Sequence, residues 1–320
     1  MRQVNDPLTT HTAGRPVSRP RAPYTVFVLL CAVILVAATI PILASDIFRQ
    51  PYSPVWDTIN RTLDRLHFSY NPPGGGAPPQ WPQWWAPVDA NIYYRDLTLT
   101  TADGVHLAAW YVPALEPGAP SIILTHGLLG SKWGMLRLVP WLHDAGYNVM
   151  LFDFRGHGGS DHRPSTIGPK EVYDVQAALD WLKAEGVGDQ VAGLGMSLGA
   201  AALVNTAVQD DRLDALILDS LFANWGDTDF AKGYRLSPNW LVPGVPNPED
   251  LMPRIHVPVF IIGGTADILT HVDHAYRLFE AANEPKELWI NDSGHAWSAW
   301  TYPDLYQQRV LDFLSNALSD

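Results

Sequence analysis

The chain has 320 residues, 47% of them hydrophobic with 13 tryptophans, which allows one large α/β domain plus an extension. A formal net charge of −12 argues against nucleic acid as a partner. The charge is uneven: residues 1–23 carry Arg2, Arg15, Arg19 and Arg21 against Asp6, a basic arm on an otherwise acidic chain.

Behind that arm, residues 24–44 contain no charge and are almost wholly apolar. About 20 apolar residues span a bilayer as a helix, and the run is longer than the apolar region of a signal peptide. It therefore reads as an uncleaved transmembrane signal anchor. Arginines before it and Asp46 after it place the N-terminus in the cytoplasm and the rest of the chain outside. The only cysteine, Cys31, lies within this span and cannot form an intrachain disulfide. Residues 45–91 read as a linker rich in Pro, Gly and Trp. It holds a short amphipathic stretch between Pro54 and Phe68, then Asn71-Pro-Pro-Gly-Gly-Gly-Ala-Pro-Pro, then Trp81, Trp84 and Trp85 among prolines.

From Ile92 onward the pattern becomes regular. Leu97–Thr100 and Val105–Val112 alternate around Ala102-Asp103-Gly104, a β-hairpin signal. Short apolar runs follow at 122–124, 149–152, 191–194, 216–218, 259–262 and 288–290. Between the second and third, Val172, Val175, Leu179 and Leu182 share one helical face, opposite Lys170, Glu171, Asp174 and Lys183. Strands alternating with helices predict a mostly parallel twisted sheet with helices on both faces.

One stretch concentrates the chemistry. Gly195-Met-Ser197-Leu-Gly199 follows an apolar strand and precedes a run of helix formers. This is a nucleophile-elbow pattern, with the serine on a strained strand-to-helix turn and glycines where a Cβ would clash. The N–H of Leu198, at a helix N-terminus, is placed to stabilise a developing oxyanion. A serine nucleophile needs a base and a group that orients the base. His295 follows the 288–290 run and Asp267 the 259–262 run, both at strand carboxyl ends where open α/β sheets build their sites. Asp219, after the 216–218 run, is a rival for the orienting acid. His271 and His274 have a metal-like spacing, but no carboxylate or thiolate set accompanies them, so no metal or cofactor is expected.

Five motifs carry a resemblance: His126-Gly-Leu-Leu-Gly-Ser131, Asp153-Phe-Arg-Gly-His-Gly-Gly-Ser160, Gly195-Met-Ser-Leu-Gly199, Gly264-Thr-Ala-Asp267 and Gly294-His295. Over residues 92–320 the sequence resembles the α/β-hydrolase superfamily, in particular its serine-hydrolase branch described as S33-peptidase-like or BEM46-like. The resemblance implies Ser197, Asp267 and His295 as catalytic residues, in the order Ser, Asp, His. It implies the N–H of Leu128 as a second oxyanion donor beside Leu198, and a structural role for the Arg155-Gly-His157-Gly loop. It also implies that residues 221–252, with several aromatics and prolines, form a small cap.

The expected function is that of a membrane-anchored serine hydrolase cleaving a carboxylic ester or related acyl bond, with short and medium acyl esters as small-molecule substrates. Amidase, aminopeptidase or acyltransferase chemistry on the same residues stays open. An inactive, membrane-tethered binding protein is the reading from another class, opposed by the presence of nucleophile, base, acid and both elbow glycines.

Overall fold

The computed structural model describes residues 86–187, 189–228 and 245–319. The basic arm, the 24–44 segment, most of the linker and the middle of the 221–252 segment lie outside them. Among the described residues no helix is long and apolar enough to cross a membrane.

Every expected strand forms. They are β1 (Arg95–Thr100), β2 (His106–Val112), β3 (Ser121–Thr125), β4 (Asn148–Phe152), β5 (Val191–Met196), β6 (Ala215–Asp219), β7 (Val259–Gly264) and β8 (Lys286–Asn291). They build an eight-stranded sheet in the order β1-β2-β4-β3-β5-β6-β7-β8. The hairpin β1–β2 and the β2–β4 pair are antiparallel, and all other pairs are parallel. The parallel strands β3 to β7 are buried along their whole length. That explains why they read in the sequence as continuous apolar runs rather than as alternation.

Helices of ten or more residues among those described are α1 (Glu171–Ala184), α2 (Leu198–Ala207), α3 (Val272–Ala281) and α4 (Pro303–Ala317). Two apolar layers result. On one face Ile123, Leu216, Leu218 and Ile261 pack with Val175 and Leu179 of α1, Leu203 of α2 and Leu278 of α3. On the other, Ile122, Leu124, Ile217 and Ile262 pack with Leu138 and Leu142 and with Tyr306, Val310, Phe313 and Leu314 of α4.

The reading of α1 needs one correction. Glu171 and Asp174 were expected on its solvent side, yet both are fully buried. They are consumed by the loop after β4. Glu171 accepts from Ser165 Oγ, from the N–H and hydroxyl of Thr166 and from Gly168 N, and Asp174 accepts from the Arg155 guanidinium. A helical wheel treats a carboxylate as solvent-seeking and cannot see such partners. The 221–252 segment also differs from a pure cap, because Leu221, Phe222 and Ala223 belong to the core.

Candidate active site

β5 ends at Met196, and Ser197 stands as the N-cap of α2 with φ 52° and ψ −109°. For a residue with a Cβ this is a strained conformation. It is held by its surroundings: Ser197 N donates to Asp219 O at the end of β6 (2.9 Å), and Ser197 O accepts from Ala201 N (3.0 Å). The flanking glycines have separate steric reasons. A Cβ on Gly195 would meet Ala200 N at 2.5 Å, where strand and helix touch, whereas one on Gly199 would meet Thr125 O at 2.3 Å, where helix and β3 touch. Within the run 191–200, Ser197 is the one residue that is not buried.

Past the ends of β7 and β8, two and three strands from β5, Asp267 and His295 come together. His295 Nδ1 lies 2.8 Å from Asp267 Oδ2. A carboxylate only accepts, so Nδ1 carries the proton and Nε2 is left as a basic acceptor. The other Asp267 oxygen accepts from Leu269 N and Thr270 N, both at 2.8 Å, and Thr270 Oγ1 donates to Oδ2 at 2.7 Å. Burial pushes the Asp267 carboxyl up, but the hydrogen bond and charge of His295 and the two donors of Thr270 outweigh it, so its pKa lies below the ordinary carboxylate value. The Asp267 side chain is sealed from solvent, while that of His295 is 20% exposed.

The rival acid has a different environment. Asp219 is fully buried, and burial pushes its carboxyl up to about 7, opposed by the hydroxyl of Ser220. Its Oδ1 accepts from Ser220 Oγ at 3.0 Å. Among the described residues neither its Oδ2 nor the buried hydroxyl of Tyr306 makes a hydrogen bond of ordinary geometry, yet the two groups are near enough to interact. That phenol is close enough for Asp219 to raise its pKa further, after the larger effect of burial. The hydrogen bond of His295 Nδ1 goes to Asp267 and not to Asp219.

The 126–131 loop lies against the elbow, for a Cβ on Gly127 would sit 3.6 Å from Ser197 Cβ. Two neutral histidines pin this loop. His126 Nδ1 donates to Gly127 O (2.8 Å), and its Nε2 accepts from Phe154 N (3.1 Å). His157 Nδ1 donates to Arg155 O (2.9 Å), and its Nε2 accepts from Leu129 N (3.3 Å). Burial lowers both imidazoles, His126 to about 3, so each keeps the acceptor these bonds need. Leu129 has φ 63°, an αL residue that turns the chain just past Leu128. Beneath, Arg155 is bound by Asp174 and Asp103, and Asp153 by Lys132 and Gly159 N. The Arg155–His157 loop is thus structural in this fold. Leu198 opens α2 directly after Ser197, and Gly127 in the loop after β3 lies against the Ser197 side chain. A serine on such a turn, with a histidine–carboxylate pair at the same end of the sheet, is an arrangement that can deliver an oxygen to a carbonyl carbon.

His271 and His274 do not meet as ligands. His271 is the exposed N-cap of α3, whereas His274 is buried with Nδ1 accepting from Ala223 N at 3.1 Å. Among the described residues no three His, Cys, Asp or Glu side chains gather as a metal site. Ser220 and Thr270 were not singled out in the sequence. The signal for Thr270 is its place three residues after Asp267, where a hydroxyl and an N–H can both return to the carboxylate. Ser220 had no comparable signal.

Comparison with known proteins agrees with this architecture. A family model described as alpha/beta hydrolase fold matches residues 120–237. An uncharacterized protein of Mycobacterium tuberculosis is 36% identical over 223 residues, 68% of this chain and 76% of that protein. The alpha/beta hydrolase domain-containing protein WAV2 of Arabidopsis thaliana is 28% identical, over 71% of this chain and 80% of its own. Among solved structures, a Pyrococcus furiosus esterase superposes with a TM-score of 0.66 at 28% identity, covering 76% of this chain and all of that one. The chain belongs to the α/β-hydrolase fold family.

Proposed function

We propose that this protein is a membrane-anchored serine esterase of the S33-peptidase-like or BEM46-like branch, with Ser197 as nucleophile, His295 as base and Asp267 as orienting acid. His295 Nε2 takes the Ser197 hydroxyl proton as Oγ attacks the ester carbonyl carbon. The N–H groups of Leu128 and Leu198 stabilise the oxyanion, and collapse expels the alcohol with the proton returned by His295. Water, deprotonated by the same imidazole, then releases the acid from the acyl-enzyme. Residues 24–44 tether the enzyme, with the hydrolase domain outside the cytoplasm.

The observation that carries this reading is the 2.8 Å bond from His295 to Asp267 at the same end of the sheet as a serine held at φ 52°. Esterase chemistry is further supported by the structural likeness to the Pyrococcus furiosus esterase. Exposed Leu129, Ile268 and Leu269 sit next to Leu128 and Asp267 in the chain and give the site an apolar rim suited to an acyl chain. The test is hydrolysis of p-nitrophenyl esters of graded acyl length by wild type and by Ser197→Ala. Turnover that favours butyrate over palmitate and disappears in the variant supports the reading. Turnover that survives the substitution rejects it.

A further inference from the structure

The short hinge Asp219-Ser220, between the strand of the proposed nucleophile and the strand of the proposed acid, touches all three arms of the site. Asp219 O accepts from Ser197 N at 2.9 Å, and Ser220 N donates to Ile262 O at 2.9 Å. Ser220 O lies 3.2 Å from Thr270 Oγ1, whose single hydrogen goes to Asp267 Oδ2 at 2.7 Å and which lies 3.2 Å from His295 Nδ1. The Ser220 hydroxyl donates to Asp219 Oδ1 at 3.0 Å and accepts from Ala296 N at 2.8 Å. Ala296 is the residue after His295.

Backbone strain gathers at the same place. Leu129, Ser197, Ser220 and Ala296 all have positive φ, of 63°, 52°, 55° and 54°, and they are four of six such non-glycine residues among those described. Conformations of this kind persist only where neighbouring bonds over-determine them. At Ala296 the N–H is held by the Ser220 hydroxyl. Ser220 itself is only 3% exposed, so substrate does not reach it.

Resting on the assignment of Ser197, Asp267 and His295 above, we propose that Ser220 is a positioning residue of this site, its hydroxyl setting where the His295 loop stands relative to Ser197. The proton bookkeeping is simple, for the hydroxyl has one hydrogen, given to Asp219, and a lone pair, given to Ala296 N–H. Removing it frees the Ala296 peptide to rotate, and a displacement of about 1 Å in a reacting group lowers turnover by roughly 100-fold. Substrate contacts are untouched, so the loss falls on kcat.

The experiment uses the full chain and the variant Ser220→Gly, because glycine accepts φ 55° without strain while losing the CH2OH group that carries the hydroxyl. For p-nitrophenyl butyrate we expect kcat to fall on the order of 10- to 100-fold with KM within about twofold, fluorophosphonate labelling of Ser197 to slow in parallel, and the melting temperature to move by only a few degrees. Ser220→Cys, which keeps a weaker acceptor at that atom, should recover part of kcat. A Ser220→Gly protein that turns over and labels like wild type overturns the inference, as does a kcat loss no larger than the loss of folded protein. The imidazole proton resonance of His295 in ¹⁵N-histidine-labelled protein gives a readout independent of turnover. If wild type neither hydrolyses esters nor labels, the enzymatic reading fails. The positional claim then stands or falls on whether Ser220→Gly shifts that resonance.

Discussion

The two halves of the site are built by different physics. On the Ser197 side geometry is set by exclusion: glycines at 195 and 199 are there because backbone atoms lie 2.5 and 2.3 Å from where a Cβ would be, and the turn admits few residue types. On the His295 side geometry is set by hydrogen bonds among Asp267, Thr270, Ser220 and Ala296, most of them between residues far apart in sequence. Steric constraint writes itself into local sequence, whereas a hydrogen-bond web can be met by many residue types and leaves little trace. The first half is rigid by packing, and the second holds its place only while each donor keeps its acceptor.

Substitutions on each side should therefore fail differently. Ser197→Ala should leave the fold intact and remove turnover, by on the order of 10⁶ if it behaves as a triad serine does, with circular dichroism and melting unchanged. Asp267→Asn should come next, lowering kcat on the order of 10⁴ by offering His295 Nδ1 an amide in place of a carboxylate. Asp219→Asn should cost far less. A reversed order of these two in steady-state kinetics would move the orienting role to Asp219. Gly199→Ala tests the steric half. Its Cβ must push Thr125 O aside, so destabilisation of about 1–3 kcal/mol or more is expected in urea melts, with activity lost as the elbow shifts.

The two acids also predict a pH dependence of stability. Burial raises Asp219 to about 7, so between the unfolded carboxylate value, near 4, and 7 the folded protein binds the extra proton. Its stabilising effect is fully present below the unfolded value and lost as pH rises through about 7. Asp219→Asn removes this titration, and its melting temperature relative to wild type should therefore climb from pH 5 to pH 8. A constant difference would mean that Asp219 titrates alike in both states. Asp267, held low, works in the opposite sense, its contribution being lost as pH falls through its folded value.

Much of this was legible in advance, for identifiable reasons. The strands β3 to β7 were visible because central parallel strands are apolar throughout, and the hairpin because Asp103-Gly104 is a turn pair, with Gly104 at φ 78°. Ser197, Asp267 and His295 were visible because each stands just past a strand end. Glu171 and Asp174 were misplaced because their partners, Thr166, Gly168 and Arg155, sit in a loop whose path helical periodicity does not reveal. Ser220 escaped notice because its two side-chain bonds, one to its neighbour Asp219 and one to Ala296, 76 residues away, carry no motif.

The central claim is that Ser197 is an activated nucleophile. Treating the full chain with a fluorophosphonate and mapping the adduct by peptide mass spectrometry tests it most directly. A single adduct on Ser197, formed with loss of ester hydrolysis and slowed by Asp267→Asn, is the predicted result. An unmodified Ser197 in a protein that still hydrolyses esters would contradict it.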